Sequence, residues 1–129
     1  MHKPFLIIAA LLGALSVMLG AFAAHGLKQI VNDESITIFE TGVRYQFYHV
    51  FALLILAILY KDFPNKSLKN SGYLFLAGIL FFSGSLYFLA LSNGKFPDSF
   101  TWMYIVTPLG GVCFIAGWLM LAFSLLKKN

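Results

Sequence analysis

The chain has 129 residues, of which 60% are apolar, 17% aromatic and only 11% charged. About a quarter of the residues of a soluble domain are charged, so a soluble globular protein is excluded. The net charge of +4 would suit nucleic acid, but the way the lysines are distributed points to a membrane face instead.

Four apolar runs fill almost the whole sequence, at residues 4–24, 39–60, 71–91 and about 103–126. A helix rises about 1.5 Å per residue and the hydrocarbon core is about 30 Å thick, so about 20 residues cross it. The runs predict an all-α membrane protein: one domain, residues 1–129, folded as an antiparallel four-helix transmembrane bundle. The first run imitates a signal peptide, with Lys3 before it and Ala21-Phe22-Ala23 near its end. It is longer than a signal core, which predicts a retained helix.

The first connection, from Gly26 to about Ile38, holds the polar turn Asn32-Asp33-Glu34-Ser35. Ser35 is a candidate N-cap, with residues 36–44 as an interfacial lead-in to the second span. The second connection, residues 61–70, carries Lys61, Lys66 and Lys69 and turns at Asp62, Pro64 and Asn65. Residues 92–101 form the third, followed by Trp102 and Tyr104 at the depth of an aromatic belt. Thr107-Pro108 predicts either a fresh start or a kink in the fourth helix. The one cysteine, Cys113, rules out an intramolecular disulfide and reads as a small residue in a helix interface.

One side of the membrane receives Lys3, Lys61, Lys66, Lys69, Lys127 and Lys128 against Asp62 alone. The other receives Lys28, Arg44 and Lys95, with Asp33, Glu34, Glu40 and Asp98. The lysine-rich side is expected to be cytoplasmic, which puts both termini inside and the chain in the plasma membrane of a bacterium as a multi-pass protein. The lysines would touch anionic membrane lipids.

Small residues recur at spacing seven, as in Gly13 and Gly20, Gly78 and Ser85, Ala77 and Gly84, and Gly110 and Gly117. Two turns apart, each pair shares a face and is expected to allow close helix packing. No internal repeat is visible, which argues against a transporter built from inverted repeats.

The segment from Phe39 to His49 breaks the apolar pattern with Glu40, Thr41, Arg44, Tyr45, Gln46, Tyr48 and His49. Glu40, Arg44 and Tyr48 fall on one helix face; Gly42, Tyr45, Gln46 and His49 fall on the other. His49 sits near mid-membrane, where ionisable groups usually face protein or water. Together with His25 at the end of the first span, they are candidate lining residues of an outer-leaflet pocket. Arg44 and His25 would meet an anionic group, Glu40 would orient Arg44, and Tyr45 and His49 would close the floor. Two other uses of the same residues are interhelical hydrogen bonding and proton or ion handling through His49 and Glu40. His2, His25 and His49 share no metal-ligand spacing, and no nucleophile elbow surrounds Gly84-Ser85. The expectation is a non-enzymatic protein with no catalytic residues, metal or cofactor. Its partners would be membrane lipids, an unidentified protein or further copies of itself, and not nucleic acid.

These segments also resemble a known family. Gly20-Ala21-Phe22-Ala23-Ala24-His25-Gly26-Leu27, Phe39 through His49, Phe82-Ser83-Gly84-Ser85-Leu86-Tyr87 and Thr107-Pro108-Leu109-Gly110-Gly111 are its carriers. Across essentially the whole chain the sequence is similar to the bacterial membrane proteins known as domain of unknown function 423, related to a eukaryotic transmembrane protein numbered 256. It departs from their pattern at Ala23, where Gly is usual, and at Gly42, where Ala is common; both keep a small residue. The resemblance implies a four-helix membrane protein and brings no established activity.

Overall fold

A computed structural model describes residues 1–126, which leaves Lys127 and Lys128 of the expected lysine-rich side outside the described residues. The helices are α1 (Lys3–Ala24), α2 (Asp33–Leu59), α3 (Lys66–Gly78), α4 (Gly84–Leu91) and α5 (Met103–Leu126). A π-helical turn, Ile79–Ser83, joins α3 to α4, so Lys66–Leu91 is one continuous third span. All four resulting helices are long and apolar enough to cross a membrane.

The second helix starts earlier than its apolar run. Asn32, not Ser35, is the N-cap: its side-chain oxygen accepts from the Ser35 amide at 2.8 Å. Asx side chains reach the third amide of a helix readily, which places Ser35 inside the first turn. Residues 36–44 are helical and run directly into the span. Ser35 Oγ is buried without a partner among the described residues. Asn65 caps α3 in the same way, accepting from Leu68 N–H at 2.9 Å. The fourth helix runs unbroken through Pro108. Pro108 lacks an N–H to donate one turn back, yet the helix continues, so Thr107 is interior and not a cap. Its hydroxyl instead meets that of Ser85 on α4. The α4 end is closed by Asn93 and Gly94 in left-handed conformations, φ 56° and 81°, with Gly94 N–H donating to Leu89 O at 3.0 Å.

α1 packs chiefly on α2, α5 on the third span, and α2 on both α1 and the third span. The glycines differ sharply in what they face. A Cβ on Gly110 would stand 2.2 Å from the Phe82 backbone nitrogen, on Gly78 2.3 Å from the Phe114 ring, and on Gly117 2.8 Å from the Phe75 ring. Gly42 and Gly72, outside the spacing-seven pairs, are equally pressed, by Tyr87 at 2.7 Å and Phe5 at 2.4 Å. Gly13 and Gly20 have ordinary contacts at 3.5 and 3.7 Å, and Gly84 faces open space. Two apolar clusters fill the bundle: one around Phe5, Leu53, Leu56, Phe75 and Phe114, the other around Leu27, Phe39, Val43 and Ala90.

At the lysine-rich end, His2 caps α1. Its Nδ1 accepts from Phe5 N–H at 3.3 Å and its own N–H donates to Ala57 O at 2.8 Å. Desolvation first, then the charge of Lys69, hold its pKa below the ordinary histidine value of 6.5. A protonated Nδ1 cannot accept, so this cap works only in the neutral ring. With the folded value depressed, the contribution is complete above the unfolded value and is lost as pH falls through the folded one. Acidifying from about pH 7.5 to about pH 5 is therefore expected to lower the thermal midpoint of the parent more than that of His2→Asn, whose cap does not titrate. Equal drops in both would show that His2 has no part in it.

Candidate functional site

Several buried polar side chains tie the helices of the bundle to one another. Gln46, 2% exposed, ties three helices together. Its amide nitrogen donates to Leu12 O of α1 at 3.1 Å, and its carbonyl accepts from the Tyr87 hydroxyl of α4 at 2.7 Å. His49, 4% exposed, ties α2 to α5. Trp118 Nε1 can only donate, so at 3.0 Å it fixes His49 Nε2 as the acceptor. Nδ1 then carries the proton and donates to Tyr45 O at 2.7 Å. The imidazole is stacked on Phe114, with centroids 3.6 Å apart and planes 11° from parallel. Ser83 donates to Gly42 O and Ser71 to Gly117 O, both at 2.7 Å. In hydrocarbon an unsatisfied polar group costs several kcal/mol, which is why each of these side chains is bonded.

The opposite side of α2 is different. Glu40, Arg44 and Tyr48 are all exposed, Tyr48 by 52%. No ion pair forms among the described residues, so neither Glu40 nor Arg44 has a charged partner there. Arg44 lies five residues outward of His49, about 8 Å nearer the surface, and Glu40 about 14 Å. His25 is exposed at the C-terminal cap of α1, its ring nitrogen 3.1 Å from Ala21 O.

The seven candidate residues thus divide into three places. Gln46 and His49 are buried in the bundle, Glu40, Arg44 and Tyr48 look outward on the far side of α2, and His25 stands apart at a helix end. Tyr45 alone sits between, its ring tilted against Phe82 with centroids 4.8 Å apart. It joins His49, Phe82, Gly111, Phe114 and Trp118 around a cleft of about 370 Å³ between α2 and α5. That cleft is walled by rings, and both nitrogens of its histidine are engaged. Trp118 and Tyr87 are partners that composition did not single out. Their signal was present: each is an aromatic with a polar tip placed away from either interface, where its N–H or O–H needs a buried acceptor. Among the described residues no three His, Cys, Asp or Glu side chains gather as metal ligands.

Residues 19–111 match the family described as protein of unknown function (DUF423). The UPF0382 membrane protein of Staphylococcus haemolyticus is 40% identical over 125 residues, 97% of each chain. The UPF0382 membrane protein YwdK of Bacillus subtilis is 38% identical over 97% of this chain and 98% of its own. The corresponding UPF0382 protein of Haemophilus influenzae is 40% identical over 100% of this chain and 98% of its own. No solved structure matches the chain.

Proposed function

The chain belongs to the DUF423 family of membrane proteins, and from that premise we propose that it acts without covalent chemistry, by binding a partner inside the bilayer through the exposed face of α2. One observation carries this reading. Gln46 and His49, buried on α2, are bonded within the bundle, whereas Glu40 and Arg44 are charged, exposed and without an ion-pair partner among the described residues. A charge at the centre of a transmembrane helix costs about 2.5–3.5 kcal/mol on insertion scales; Arg44, about 8 Å outward of His49, bears part of that cost, and such residues ordinarily mark a working surface. The orientation inferred from the sequence fits this reading. Lys61, Lys66 and Lys69 share the end at which His2 caps α1, which favours a cytoplasmic location for that end and for both termini, in the plasma membrane.

Native mass spectrometry of protein released gently from its own membrane tests the reading. The parent is expected to carry a defined additional mass, whether second copy, other protein or phospholipid, and Arg44→Ala to lose it. Bare monomer from both would remove the α2 face as a binding surface.

A further inference from the structure

The exposed face of α2 has a regular pattern. Arg44, Tyr48, Phe51, Ile55 and Ile58 follow one another at spacings of four, three, four and three, and the last four are 52–58% exposed. That is the a/d seam of a left-handed helix pair, the same crossing near +20° that most transmembrane bundles use. The seam has no partner among the described residues. Glu40 stands four residues outward of Arg44, at the edge of the same face.

We propose that the occupant of this face is a second copy of the chain, related by a twofold axis along the membrane normal, so that Glu40 of each copy pairs with Arg44 of the other. The inference rests on the partner reading above and names the partner. Two copies inserted the same way present α2 in parallel, which is what a parallel a/d seam requires. A twofold interface is self-complementary: the two Arg44 side chains approach each other at the axis, and each is flanked by Glu40 of the other copy, so two acids and two bases close into one neutral cluster with no other molecule. A phospholipid phosphate fits less well. It would match Arg44, but the Glu40 carboxylate one turn outward, toward the head groups, would repel it. Below the ion pairs, Tyr48, Phe51, Ile55 and Ile58 would pack against their counterparts by van der Waals contact, the main attraction available between helices in lipid.

Cysteine cross-linking in native membranes tests this. In a Cys113→Ser background, Thr37→Cys puts a thiol on the exposed face near its outer end. Ile105→Cys, 63% exposed on α5, is the control at similar depth. Oxidation is expected to join Thr37→Cys copies and leave Ile105→Cys copies single. Adding Arg44→Glu or Glu40→Arg alone is expected to lower the cross-linked fraction by about tenfold, the change that 1.4 kcal/mol produces. Co-expressing the two variants under different tags should restore it, as cross-links between the unlike copies only. Because that rescue needs both variants inserted and folded, a failure to fold cannot imitate it. Cross-linking that ignores both charge changes would overturn the pairing, as would equal cross-linking at Ile105→Cys. If Thr37→Cys copies never join while the Arg44-dependent mass is another protein or a phospholipid, the second copy is overturned and the partner reading stands. If that mass is missing as well, both fall.

Discussion

Gly110→Ala is expected to be the most damaging single methyl in the protein, while Gly84→Ala is tolerated. At Gly110 the new carbon would stand 2.2 Å from Phe82 N, 2.7 Å from its Cα and 2.8 Å from the Phe81 carbonyl carbon. All three are backbone atoms of the π-helical turn, and no rotamer change moves them away. α5 and the third span must separate, and the Ser71–Gly117 and Ser85–Thr107 bonds between them stretch with it. Overpacking costs about 1–3 kcal/mol and occasionally more; the backbone obstacle puts Gly110→Ala at about 3 kcal/mol or beyond. At Gly84 nothing lies within 4 Å, so the methyl enters lipid. There the better helix propensity of alanine contributes up to about 1 kcal/mol in the other direction. Thermal unfolding of the two variants in detergent, followed by near-UV circular dichroism, reads the difference. Equal midpoints would mean that Gly110 of α5 does not pack against the backbone of the π turn.

That contrast shows where the sequence stops being informative. The first apolar run, residues 4–24, coincides with α1 almost to the residue, because that helix ends where its apolar side chains end, and the fourth, about 103–126, begins with α5 at Met103. α2 and α3 begin several residues earlier than their runs. Their first turns are polar and capped by Asn32 and Asn65, and hydropathy records depth in the bilayer, not helical conformation. The π turn at Ile79–Ser83 leaves no mark on hydropathy at all. Spacing of seven puts Gly110 and Gly117 on one face, yet only the neighbouring helix decides that Gly110 meets a backbone and Gly84 meets none. The same holds for the polar segment. A rotation of 100° per residue groups Glu40, Arg44 and Tyr48 on one face, and the structure has all three exposed. It cannot say that the opposite face is claimed by Leu12 O, Tyr87 and Trp118, since those partners come from three other helices.

His49 gives the second large effect, and it separates a structural tie from a proton relay. His49→Ala removes a ring stacked 3.6 Å from Phe114 and strands the Trp118 N–H in an apolar surround. Aromatic-to-alanine cavities cost about 3–5 kcal/mol, and a comparable loss of stability is expected here. His49→Phe keeps a slightly larger ring in place and loses the Nε2 acceptor along with the Nδ1–H that donates to Tyr45 O, for about 1–2 kcal/mol. Combining it with Trp118→Phe removes the orphaned donor as well and is expected to recover part of that loss, since an unmet partner costs more than an absent pair. In proteoliposomes loaded with a pH-sensitive dye, His49→Phe and the parent are expected to leak equally at every pH. Nine residues separate His49 from Glu40, about half a turn around α2, so they face opposite ways. Both imidazole nitrogens are already engaged, and adding a proton at Nε2 would set two donors against each other. A proton flux in the parent that disappears in His49→Phe would reverse the assignment, because only a ring that exchanges its proton could carry one.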